Sequence, residues 1–126
     1  MVTFMELFLN TQHKLDFEYL LNCHSRYATE IPLNEWSSTS YIIAGMNLND
    51  AFLSVLQPDL TIDPRKLQLF SSLLNSKEQL FLLYALQQSY HFAFQNIQLD
   101  AVLKNSTTDE LHLLINACDT NYFQKS

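Results

Sequence analysis

Gly45 is the only glycine in the chain. Strands, tight hairpins and phosphate-cradling loops lean on glycine, because it alone reaches positive φ without steric cost. A chain of 126 residues that nearly dispenses with it is expected to be built from helices. Its loops then rest on Asn, Asp, Ser and Pro. The same scarcity removes any Gly-rich nucleotide loop.

The length suits one domain over 1–126, with a short flexible tail at about 121–126. With 48% hydrophobic residues, a core forms without metals or cross-links. Charged residues make up 16% of the chain, against about 25% in ordinary domains. Asn, Gln, Ser and Thr finish the surface instead, a composition that favours life against a partner. The net charge is −6, and of the seven Lys and Arg only Arg65 and Lys66 are adjacent. Duplex nucleic acid demands a basic cluster, so direct nucleic-acid binding is not expected. An acidic surface suits a basic protein better. Cys23 and Cys118 form no CxxC pair and read as free thiols in a reducing compartment. Neither a secretory signal nor an apolar run of about 18 residues is evident. The expected location is cytoplasmic, away from membranes.

Apolar spacing predicts a short helix within Met1–Asn10, a break at Thr11–His13, and a helix from Leu15 to Ala28. The apolar face of the latter carries Phe17, Leu20, Leu21, His24 and Ala28. Glu30 to Trp36 reads as a loop turned by Pro32. Ser37–Ser40 then opens a helix carrying Tyr41, Ile42, Ile43 and Met46, with Gly45 as a left-handed residue near its end. Asn49 is the expected N-cap for Asp50–Gln57, which Pro58 stops. Asp63-Pro64 is the strongest start signal, since Asp caps free amides and Pro fits the first helical position. Ser76 and Gln79 have capping-box spacing and open the longest predicted helix, Lys77 to Gln95. Its Leu80–Leu86 run has no wet face, which marks a central helix. A short helix is expected in Ile97–Leu103. Thr107 and Glu110 repeat the box spacing before a last helix with a stripe of Leu111, Leu114, Ile115 and Cys118. The fold expected is all-α: a compact single-domain bundle of six or seven helices around a central helix near 77–95.

Candidate chemistry is sparse. His13, His24, His91 and His112 never pair at i, i+3 or i+4, so no metal site is expected. His24 reads as a core histidine bonded to a backbone carbonyl, and Cys23 as a small buried apolar residue. Neighbouring positions on a helix point about 100° apart, so these two are no ready Cys–His dyad. There is no GxSxG elbow. Arg65 and Lys66 read as a solvated first turn. Two features remain. Tyr84, Gln88, His91 and Gln95, with Gln87 alongside, recur at helical spacing as a polar seam. That seam is either a groove lining or the solvent side of the helix. Trp36, in a polar stretch, and Tyr122-Phe123, near the end, are candidate partner-binding anchors. The alternative for Trp36 is a lid folded back on the core.

The leading expectation is therefore a non-enzymatic, cofactor-free protein. It acts by docking as an adaptor, chaperone-like factor or regulator, on a basic protein or on a second copy of itself. Trp36→Ala or Tyr122→Ala should then weaken binding and leave helicity intact. Two alternatives stay open. One is a transcriptional regulator working with or through a DNA-binding partner, with Arg65, Lys66 and Lys77 as phosphate contacts. The other is a small helical enzyme or ligand binder using Tyr84, Gln88 and His91.

Overall fold

The computed structural model describes residues 8–26, 31–90, 99–104 and 106–118. Seven helices occupy them: α1 (Thr11–Arg26), α2 (Leu33–Gly45), α3 (Asn49–Val55), α4 (Pro64–Ser71), α5 (Ser76–Ser89), α6 (Leu99–Lys104) and α7 (Thr108–Cys118). The described residues form no strand beyond an isolated antiparallel bridge between Leu56 and Ile62. The all-α expectation holds.

The central helix is α2, not the one near 77–95. Trp36 to Ala44 are buried without interruption, and α1, α3, α5 and α7 all pack against this helix. By contrast α5 keeps residues 77–80, 83, 84, 87 and 88 only half-buried. The signal was obscured because the first half of α2 is polar by composition. Ser37, Ser38, Thr39 and Ser40 lie inside the protein, where small hydroxyl residues let neighbouring backbones approach, and two of them bond helix carbonyls. Ser38 donates to Ala117 O of α7 at 3.0 Å, and Thr39 to Ala85 O of α5 at 2.7 Å. Ser89 Oγ lies 2.5 Å from Thr39 Oγ1 and 2.9 Å from Glu35 O. The helix also starts earlier than expected. Pro32, with φ −60°, stands at the N-cap and its carbonyl accepts from Trp36 N–H at 3.0 Å. Pro32 thus begins a helix, and the expected 30–36 loop is mostly its first turn.

Gly45 sits in α2 without positive φ, which corrects its expected left-handed role. The left-handed residue is Asn47, at φ 59°. Around it Asn47 N–H reaches Ala44 O (3.2 Å) and Leu48 N–H reaches Ile43 O (2.9 Å), the paired bonds of a Schellman end. Gly45 is needed for space. A Cβ there would fall 2.8 Å from Leu113 Cδ2 of α7 and nearer still to Cδ1. The buried face of α7 is Leu113, Leu114 and Ala117, while Ile115 is exposed. The expected stripe was thus rotated, and Cys118's side chain lies outside the described residues.

The caps show the local rules at work. Asn10 Oδ1 accepts from His13 N–H at 2.8 Å, so Thr11–His13 is the first turn of α1 rather than a break. Asp63 accepts from Arg65 and Lys66 N–H, with Pro64 in the first turn, as expected. The capping box of α5 is Asn75 with Glu78, one residue before the expected pair. Asn is as good an N-cap as Ser, and Glu78 returns the bond to Asn75 N–H at 3.0 Å. Thr107 and Glu110 form the expected box at α7. Asn49 is not a cap. Its Nδ2 donates to Asp16 O at 3.1 Å and ties α3 to α1.

A tight hairpin joins α3 to α4. Gln57 N–H bonds Thr61 O and Leu60 N–H bonds Gln57 O, with Leu60 at φ 67°. That third loop position normally takes glycine. Leu60 holds it because its side chain is buried and Tyr90 Oη donates to its carbonyl at 2.6 Å. Asp59 supports the turn by accepting from Thr61 N–H and Oγ1. Tyr90→Phe, which leaves that carbonyl without its buried donor, is expected to lower stability by about 1–2 kcal/mol in denaturant titration. Gly45→Ala should cost about 1–3 kcal/mol through overpacking against Leu113, and the same change should cost less in a Leu113→Ala background. Independent, additive losses in the double variant would contradict the close approach.

Candidate functional site

Trp36 is fully buried, and its indole N–H donates to Leu20 O at 2.7 Å. Its ring packs against Phe52 at 5.5 Å and His24 at 6.1 Å. It is a core anchor joining α1, α2 and α3, which corrects its assignment as a partner-binding residue. The polar stretch around it misled, because those serines are themselves buried. Tyr122 and Phe123 lie outside the described residues. So do His91 and Gln95 of the polar seam. The other three seam residues share α5. Tyr84, Gln87 and Gln88 are half-buried, and Gln88 Nε2 donates to Tyr84 O of its own helix at 3.2 Å.

The remaining reactive groups are tied up structurally. His24 Nε2 lies 2.7 Å from Ile31 O. A carbonyl only accepts, so that nitrogen carries the proton, as expected of a core histidine. Burial pushes the Cys23 thiol up, against the opposing pull of Arg26, which keeps it protonated and a poor nucleophile. Among the described residues no three His, Cys, Asp or Glu side chains gather where they could hold a metal ion. Arg65 and Lys66 are exposed, but the amides of their helix start already face the Asp63 carboxylate. Lys77 is engaged by Glu110 at 2.6 Å. Burial pushes the Glu110 carboxyl up, yet Lys77 and Thr107 together hold it below its ordinary value.

The outer face of α1 differs from this pattern. His13, Phe17 and Leu20 face the core. On the opposite side Leu15 and Tyr19 are one turn apart, 54% and 53% exposed. Their acidic neighbour Glu18 pairs with Lys14 at 3.5 Å, an exposed contact worth little energetically. Leu69 and Leu73, at α4 and its exit, are also exposed, at 60% and 74%. Tyr19 has no role in the sequence pattern beyond flanking the apolar face of its helix. The available signal was the i, i+4 spacing of Leu15 and Tyr19 opposite Phe17 and Leu20, an apolar pair on what should be the wet side of an amphipathic helix.

His13 was also missed. It is buried, and both ring nitrogens have backbone partners. Leu9 N–H donates to Nδ1 at 3.1 Å, and Nε2 lies 3.1 Å from Tyr41 O. Phe8, Phe17 and Tyr41 enclose the ring, at centroid distances of 5.2 Å from Phe8 and 4.6 Å from Tyr41.

Compared with known proteins, the chain matches no family model, no curated protein and no solved structure. No helix among the described residues is long and apolar enough to cross a membrane.

The reassignment of Trp36 reverses its expected mutational behaviour. Trp36→Ala should cost about 3–5 kcal/mol of stability and lower the thermal midpoint steeply. Trp36→Phe should recover most of the packing but not the bond to Leu20 O. A Trp36→Ala protein as stable as the wild type would contradict the buried placement.

Proposed function

We propose that the protein works by docking, presenting the outer face of α1 to a partner protein with a basic surface. The observation that carries this reading is the pair Leu15 and Tyr19, both more than half exposed on one helical face. Tyrosine offers a large contact area with few rotatable bonds, which makes it an efficient interface anchor. A neighbouring leucine one turn away widens the apolar spot. The partner's basic character rests on the chain's net charge of −6 and on Asp16 beside the pair, Glu18 being offset by Lys14. Charge of that sign speeds encounter with a basic surface, while the apolar pair supplies the residence time.

The test compares two baits in affinity capture from nuclease-treated native cells, the wild type and Leu15→Ser/Tyr19→Ser. The helical content of both is verified first by circular dichroism. A stoichiometric partner held by the wild type, lost from the variant and weakened at raised ionic strength is the expected result. Equal capture by both baits would overturn the assignment of this face. Capture indifferent to salt would overturn the basic partner.

A further inference from the structure

We propose that His13 is an acid-operated latch: protonating its ring unhooks the Phe8–Leu9 entry segment from the α1–α2 seam while the helices stay in place. The two partners of the ring fix where its proton sits. Tyr41 O only accepts, so His13 Nε2, 3.1 Å away, must carry a proton. Leu9 N–H only donates, so Nδ1 must be bare. The geometry therefore admits a single form of the ring, the neutral Nε2–H tautomer. An added proton lands on Nδ1, turns an acceptor into a donor and sets it against Leu9 N–H. The bond to Tyr41 O survives that change and is strengthened by the charge. The contact to Leu9 does not survive. The break thus falls on the entry segment rather than on α2.

The surroundings favour the same outcome. His13 is buried among Phe8, Phe17 and Tyr41, where a charged ring loses its hydration. Desolvation lowers its pKa to about 4, against weaker opposing pulls from the Tyr41 carbonyl and Asp16. From α1 the charged group acting on the ring is thus the Asp16 carboxylate, which favours the imidazolium. From α2 it is faced by Tyr41, whose phenol burial pushes up and which stays neutral throughout. Phe8, Leu9 and Asn10 bring no ionisable side chain. Once unlatched, the ring meets water and returns toward the ordinary histidine value of about 6.5.

The sign follows directly. The released form binds the proton more tightly, so acid favours release. Above about 6.5 neither form is protonated and the latch has its full strength. Below that value the ratio of latched to released chain falls about tenfold per pH unit, until about pH 4, where both forms are protonated. The full span is about 300-fold. Release uncovers an aromatic floor made by Phe17 and Tyr41.

The experiment is a nitrogen-15 NMR titration of the full chain from neutral pH to about pH 4, following three groups. These are the His13 ring nitrogens, the Leu9 amide and the Trp36 indole N–H, whose bond to Leu20 O reports on the core. The expected result is that the Leu9 amide loses its bonded shift and exchange protection in step with His13, while the Trp36 signal stays native. Two results overturn the proposal: Leu9 unmoved as His13 protonates, or all three groups changing in one unfolding step. His13→Gln keeps an N–H for Tyr41 O but does not titrate, so its Leu9 amide should become indifferent to pH in this range. Should that variant fail to fold, Asp16→Asn serves instead. Removing the carboxylate that favours the imidazolium must move the Leu9 midpoint to lower pH, and an unmoved midpoint overturns the latch.

Discussion

The enclosure of α2 is the constraint on which the rest of this structure depends. A helix buried on every side needs neighbours on every side, and α1, α3, α5 and α7 take those positions. The Ser37–Ser40 run sets how close they come. Hydroxyls of this size occupy little more room than alanine, and Ser38 and Thr39 satisfy theirs on helix carbonyls while Ser40 Oγ is buried without a partner. Gly45 continues the principle at the other end of the helix, where α7 comes so close that Leu113 occupies the space of a side chain. Large residues, Trp36, Tyr41, Ile42 and Ile43, fill the intervals between these narrow contacts. Thr39 and Ser89 bring two protons to three oxygen contacts, so the acceptors must share them.

Local signals in the sequence were the readable ones. Asp63-Pro64 and the Thr107–Glu110 box lie where short-range chemistry puts them, because a cap needs only its own turn. Asn75–Glu78 was displaced by one position since Asn, Ser, Glu and Gln are all adequate at their places. Tertiary choices were less legible. The apolar Leu80–Leu86 run reads as the centre, whereas the Ser37–Ala44 run holds that place, and hydropathy alone favours the wrong one. What reversed the order was long-range bonding, Ser38 to a carbonyl 79 positions away and Thr39 to one 46 away. No window along the chain contains that information.

The candidate site followed the same division. A lone tryptophan leading into Ser37–Ser40 looks exposed only if those hydroxyl residues are wet. Once they are dry, Trp36 becomes a core residue and the docking reading must find other support. It finds it on α1, where the inner face carries Phe17 and Leu20 and the outer face carries Leu15 and Tyr19. His13 was hidden for a related reason. Its role comes from Leu9 and Tyr41, and the second partner lies 28 positions away.

The central position of α2 has a consequence for synthesis. The stretch from Trp36 to Gly45 carries no charge and is rich in aromatic and β-branched residues. Such a composition pairs readily as extended strands when it is left uncovered. Its cover on one side is α7, which includes Ala117, and a ribosome adds residues at about 5–20 per second. For several seconds the segment destined for the centre thus lacks one side of its cover. Small hydroxyls in place of a wholly aliphatic run lower that hazard, since they hold water until the last helix displaces it.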